Sequence, residues 1–140
     1  MSKKSERQKV AIVTGGNKGL GLAICRGLAK DFKGDVYLTA RNQESGLKAV
    51  GELEQEGLTV KFHPLDINDL KSIEDLKDFV EQTYSNIDVL VNNAGIRFKS
   101  SSTEPYGVQA KQSMQTNYHG VKNTCLHLFP MLAAGARVVN

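Results

Sequence analysis

The residues of this chain that could do chemistry stand in four short strings, each directly after an apolar run. The first is Thr14-Gly15-Gly16-Asn17-Lys18-Gly19-Leu20-Gly21. Glycines at this density let a backbone turn sharply and approach a pyrophosphate, whose charge is then met by the N-terminus of the helix that follows. It is not a Walker loop, because no G-x-x-x-x-G-K-S/T string occurs. About twenty residues beyond Gly21, where an adenosine ribose would be read, stands Arg41. An acidic residue there would bind a ribose 2′-hydroxyl, whereas a guanidinium clamps a 2′-phosphate, with Lys18 as a second positive charge; NADP(H) is therefore the predicted cofactor. Asp35 lies at the wrong end of its strand to compete. The third string is Asp66-Ile67, a short acid that could accept from an adenine amino group beside an apolar side chain that packs on the ring; a helix-initiating turn leading to Asn68 explains it nearly as well. The fourth is Asn92-Asn93-Ala94-Gly95, where two amides could tie neighbouring strand ends together and Ala-Gly would keep the floor low for a flat ring.

Positioning these strings requires alternating strands and helices. Strands are predicted at Val10 to Thr14, Val36 to Ala40, Leu58 to His63 and Ile87 to Val91. Helices follow at about Lys18 to Lys30, after Asn42 with Leu47, Val50 and Leu53 on one face, and after Asn68 with Leu70, Ile73, Leu76 and Val80 at helical spacing. Gly57 ends the second helix and Pro64 stops the third strand. A last helix is predicted over about Tyr106 to Leu132, and Arg137 to Asn140 reads as a strand just begun. Right-handed crossovers between such strands give a doubly wound parallel sheet, α/β in class, with the order β1-α1-β2-α2-β3-α3-β4-α4-β5 along the chain. Its binding crevice lies at the carboxyl ends of the strands, which is where all four strings fall.

Composition excludes several alternatives. With 140 residues, 40% hydrophobic and 24% charged, the chain can bury a real core. Its apolar stretches are far shorter than the roughly 20 residues of a membrane helix, and MSKKSERQK has no signal-peptide h-region, so a cytoplasmic protein is expected. The whole net charge of +3 resides in the first nine residues, Lys3, Lys4, Arg7 and Lys9 against Glu6. Residues 1–8 read as a flexible basic tail ahead of the domain at 9–140, the chain after Lys9 is neutral, and no basic stripe with aromatics suggests nucleic-acid binding. Cys25 and Cys125 read as free thiols. His119, Cys125 and His127 lack metal-ligand spacing, and no metal site is predicted.

On these residues the chain resembles the short-chain dehydrogenase/reductases. TGGNKGLG matches that family's T-G-x-x-x-G-x-G, and NNAG its strand-four signature. The strings NKGLGLAICRGL, GDVYLTAR, EGLTVKFHPLDI, DVLVNNAGIRFK and GARVVN are similar to the NADPH-dependent carbonyl reductase branch, over about residues 9 to 140. The resemblance implies a Rossmann-type sheet and reduction of aldehydes, ketones or quinones by hydride from NADPH, in a monomeric parent enzyme acting on a small carbonyl compound. It places cofactor contacts at Gly15, Asn17, Lys18, Gly19, Leu20, Gly21, Arg41, Asp66, Ile67, Asn93 and Gly95. It maps a structural-catalytic asparagine onto Asn117 and sets Phe98, Lys99 and Gln109 on the substrate side.

The resemblance also implies a serine and a Tyr-x-x-x-Lys pair after strand five, and none of these is found in the 140 residues. The expectation is therefore an incomplete NADPH-binding domain, truncated after strand five and inactive alone; the alternative is a non-catalytic short isoform that binds NADPH or a partner. Tyr118-His-Gly-Val-Lys122 spells the pair but lies on the helix before strand five, and reads as a decoy.

Overall fold

A computed structural model describes residues 6–140. Five parallel strands form one sheet in the spatial order β3-β2-β1-β4-β5. The strands are β1 (Val10–Val13), β2 (Asp35–Ala40), β3 (Lys61–Pro64), β4 (Ile87–Val91) and β5 (Leu132–Val139). Helices α1 (Gly19–Asp31), α2 (Gln43–Gln55) and α3 (Leu70–Thr83) make the first three connections. The fourth is a long helix in two pieces, α4 (Tyr106–Met114) and α5 (Val121–Leu128), joined by a π turn over Gln115–Gly120.

β1 is the centre of the molecule. All four of its residues are fully buried, as an interior parallel strand covered on both faces requires. Its side chains alternate between two cores. Val10 and Ile12 join Ile73, Leu76 and Val80 of α3 and Leu128 of α5, whereas Ala11 and Val13 join Cys25 of α1 and Ala49 and Leu53 of α2. The chain leaves β1 toward β2 and β3, then returns to add β4 on the other side. That reversal opens a crevice at the carboxyl ends of β1 and β4.

Several boundaries differ from the sequence reading. β3 begins at Lys61, not Leu58; Val60 is buried ahead of it, so apolarity alone extended the strand. Pro64 is the strand's last paired residue and not its stop, which is tolerated because β3 is an edge. Asp69, not Asn68, caps α3 by accepting from the Lys71 amide at 3.0 Å. Asn42 does cap α2, accepting from Ser45 N at 2.8 Å. Leu47 and Leu70 are about half exposed, at 50% and 52%, whereas Leu53 is buried as expected; α2 also buries Gly46 and Ala49, with Gly46 set close against the Phe62 ring. β5 starts at Leu132, five residues before Arg137, and takes a register irregularity opposite Ile87 to Val89.

The amino ends of the strands are tied by ion pairs. Asp88 accepts from Val10 N at 2.9 Å and pairs bidentately with Arg7 at 2.6 and 3.2 Å, so Arg7 of the predicted tail is anchored; residues 1–5 of that tail lie outside the described residues. Asp35, the first residue of β2, accepts from Lys61 Nζ at 2.9 Å and from the Tyr84 hydroxyl at 2.5 Å. Partial burial opposes its charge, but these two donors outweigh that and hold the carboxyl below its ordinary value of 3.8. A depressed carboxyl stabilises the fold above its unfolded pKa, and the contribution is lost as pH falls through the lower folded value. Lowering the pH from about 5 toward 2 should therefore reduce the urea midpoint of the wild type more steeply than that of Asp35→Asn. Parallel pH profiles would contradict this role.

Candidate functional site

The carboxyl ends of β1 to β4 enclose a crevice of about 510 Å³. From the sequence-predicted set it collects Gly15, Asn17, Lys18, Gly19, Arg41, Asp66, Ile67, Asn93 and Gly95. Four different strand-helix connections supply them, so only the fold brings them together.

The floor is built by hydrogen bonds between the β1 and β4 loops. The buried Thr14 hydroxyl accepts from Asn93 N at 3.0 Å and Ala94 N at 2.9 Å, and donates to Val91 O at 3.3 Å. Asn93 Nδ2 donates to Gly15 O at 3.0 Å. Asn92 reaches the other way, its Nδ2 donating to Asn140 Oδ1 at 2.8 Å and its backbone N to Val139 O at 2.8 Å. Both amides of the fourth string thus tie neighbouring strand ends together.

The glycine turn needs its glycines for two separate reasons. Gly15 and Gly19 have φ of +63° and +56°, a region side chains disfavour. Gly21 instead fails on space: a Cβ there would sit 2.2 Å from Gly15 O and 2.5 Å from Asn93 Nδ2. Its role is packing beneath the turn, and it does not line the crevice. Asn17 Nδ2 donates to Ser45 Oγ at 3.1 Å, bracing the turn against the first turn of α2.

Above this floor the N-terminus of α1 is left without a side-chain cap, whereas α2 and α3 are capped by Asn42 and Asp69. An uncapped helix start beside Lys18 offers free N–H donors and positive potential to an anion. Arg41 stands on the β2 side of the same crevice, exposed. Asp66 accepts from Asn68 N at 2.9 Å, so it forms the helix-initiating turn while also lining the crevice. Ile67 is nearly buried, where a Cβ on Gly120 would lie 3.0 Å from its side chain.

Asn117 is exposed and does not itself line the crevice. Its Oδ1 accepts from Ile96 N at 2.8 Å and its Nδ2 donates to Ile96 O at 2.9 Å, clamping the chain that leaves β4. It sits in the π turn, a helix irregularity that recurs at functional sites. The neighbouring Thr116 Oγ1 accepts from Asn68 Nδ2 at 2.9 Å, joining the helix to the β3 connection. Leu20 is 71% exposed and outside the crevice lining, as are Phe98, Lys99 and Gln109; the Gln109 side chain donates to Glu104 O at 2.7 Å. Sequence reasoning missed Ala40, Leu65, Asn68, Ile96, Arg97 and Thr116, all of which line the crevice. Arg97 follows the Ala-Gly floor by two residues, and that adjacency was the available signal.

Tyr118 is half exposed and Lys122 Nζ lies 6.0 Å from its ring centroid; neither lines the crevice. Cys25 is buried among the second core, and burial pushes its thiol up to about 12, which leaves it unreactive.

A doubly wound parallel sheet carrying this strand-end crevice belongs to the short-chain dehydrogenase family, whose model matches residues 9–140. Among curated proteins the chain is 51% identical over 136 residues to carbonyl reductase [NADPH] 1 of Pongo abelii, covering 97% of this chain and 49% of that protein. It is 52% identical over 131 residues to the Homo sapiens protein of the same name, covering 94% and 47%. The chain spans about half the length of the curated relatives it matches. Among solved structures, menthone neomenthol reductase from Mentha piperita superposes with a TM-score of 0.83 at 30% identity, over 95% of this chain and 60% of that one. The Pseudomonas aeruginosa RhlG/NADP active-site complex gives 0.79 at 26% identity, over 96% and 54%.

Two glycines of α1 separate the demands of the site from those of the helix. Gly21→Ala should lower stability by about 1–3 kcal/mol through overpacking. Gly27→Ala, with nothing within 4 Å of its added Cβ, should raise stability by about 0.5–1 kcal/mol. Urea unfolding of the two variants checks this, and equal effects would contradict it.

Proposed function

We propose that this chain is the cofactor-binding part of an NADPH-dependent carbonyl reductase acting on aldehydes, ketones or quinones. The observation that carries the reading is the convergence of the uncapped α1 N-terminus, Lys18 and Arg41 in one crevice. In this proposal the pyrophosphate rests over Gly15 to Gly19, the 2′-phosphate on Arg41 and Lys18, and the adenine between Asp66 and Ile67. Asn93 and Gly95 continue the floor. A bound NADPH would supply the hydride delivered to the carbonyl carbon.

The chain's own residues bind, orient and exclude water. Asn117 fixes the rim by holding Ile96, and Phe98, Lys99 and Gln109 approach the substrate from beyond the rim. The proton that completes the alcohol is assigned to a tyrosine outside these 140 residues, with a lysine and a serine beside it. Tyr118 and Lys122 do not line the crevice, which supports that assignment. The 140-residue chain alone should then reduce carbonyls negligibly, since loss of a positioned acid removes about 10² to 10⁴ in rate. A reducing, cytoplasmic setting accords with two free thiols. Among the described residues no helix is long and apolar enough to cross a membrane. The partner is a small carbonyl compound, and the parent enzyme is proposed to be monomeric.

Arg41→Asp tests the cofactor assignment. A charge-assisted contact contributes roughly 1.5–3 kcal/mol, so the variant should lose about ten- to hundredfold in affinity for NADPH relative to NADH. The measurement is the pair of dissociation constants from cofactor fluorescence titrations, and an unchanged NADPH/NADH ratio would sink the assignment.

A further inference from the structure

Three cations line the crevice, and the proposed dinucleotide accounts for two of them, Lys18 and Arg41. The third, Arg97, forms no ion pair among the described residues. The carboxylate that lines the crevice, Asp66, accepts with its Oδ1 from the Asn68 amide in its own turn. Arg97 is also well placed to act as a receptor. Its neighbour Ile96 is held at both backbone N and O by Asn117, so the point from which the guanidinium extends is fixed while the side chain itself stays exposed.

The order of the strands gives the crevice a direction. Arg41 follows β2, the glycine turn follows β1, and Arg97 lies beyond β4, in the spatial sequence β2-β1-β4. A dinucleotide with its 2′-phosphate at Arg41 and its pyrophosphate over the β1 turn runs on toward β4. Its hydride-bearing ring, and the carbonyl that meets it, therefore fall on the side where Arg97 stands. A planar guanidinium there, with no carboxylate partner of its own, matches an incoming carboxylate in charge and in bidentate geometry.

We propose that Arg97 is a substrate-binding residue that selects carbonyl compounds carrying a carboxylate. The inference rests on the NADPH-dependent reductase reading and deepens it. Arg97 takes no part in bond making: the hydride goes to the carbonyl carbon and the proton to its oxygen, while the carboxylate is held and leaves unchanged.

The test compares para-carboxybenzaldehyde with its neutral relative, methyl para-formylbenzoate, in the natural-length protein at saturating NADPH. Arg97→Ala should lower kcat/KM for the carboxylate by about ten- to hundredfold, the range of one charge-assisted contact. The ester and the NADPH dissociation constant should be little changed, and Arg97→Lys should recover part of the loss. Equal losses on both aldehydes, no loss on the carboxylate, or weakened NADPH binding without discrimination between the aldehydes would each overturn the proposal; in the last case the anion is the cofactor's own phosphate. If the wild type reduces neither aldehyde with NADPH, it is the reductase reading that fails. Calorimetry of benzoate against benzamide, with NADP⁺ present, then decides the anion claim. Benzoate binding lost in Arg97→Ala supports it, and identical benzoate binding by both proteins overturns it.

Discussion

The site depends on one buried hydroxyl. Thr14 stands where β1 ends, and its Oγ1 uses its full capacity, two acceptances from Asn93 N and Ala94 N and one donation to Val91 O. Those bonds lock the loops after β1 and β4 against each other at the point where the sheet reverses direction. Everything above them inherits the geometry: the positive-φ turn at Gly15, the close approach of Gly21 to Gly15 O, and the Asn93 amide that closes the floor. An apolar side chain in place of Thr14 would leave the part-buried Ala94 N–H without its partner, at about 1–3 kcal/mol, and leave Asn93 N only its bond to Val91 O at 3.1 Å.

The two ends of the sheet are specialised differently. At the amino ends, carboxylates find protein partners: Asp88 with Arg7 and the Val10 amide, Asp35 with Lys61 and Tyr84. These contacts are local and close the strands against one another. At the carboxyl ends Lys18, Arg41 and Arg97 line the crevice and form no ion pair among the described residues. Charge satisfied within the protein stabilises the fold, and charge left unsatisfied around a crevice is available to an anionic ligand. The same division separates the capped starts of α2 and α3 from the uncapped start of α1.

How much could be read in advance follows from which signals are local. Strand β4 was legible to the residue, because Ile87 to Val91 is a short β-rich run, apolar but for Asp88, bounded by polar residues on both sides. The Asn42 cap and the glycine turn were legible for the same reason. What failed depended on distant partners. Leu47 and Leu70 carry the helical spacing of buried residues yet are half exposed; α2 meets the sheet through Gly46 against Phe62, and Leu70 is the first residue of α3, directly after its Asp69 cap. Asn68 looks like a cap, but its amide donates to Thr116 in a helix 48 residues away. The π turn at Gln115–Gly120 has no sequence signature, since Thr116 and Asn117 are drawn toward Asn68 and Ile96 by contacts that only the folded chain provides. Arg97 was missed because a lone cation in a polar loop is ordinarily a solvated one.

The crevice floor is formed before any ligand binds, and the proposed NADPH rests on it. Amide hydrogen exchange tests it most directly, residue by residue, with and without saturating NADPH. Asn93 and Ala94 should already be slow in the free protein, and NADPH should further slow Gly15 to Gly19, Arg41 and Ile67. Fast exchange at Asn93 and Ala94 in the free protein, or NADPH protection that avoids the glycine turn, would contradict it.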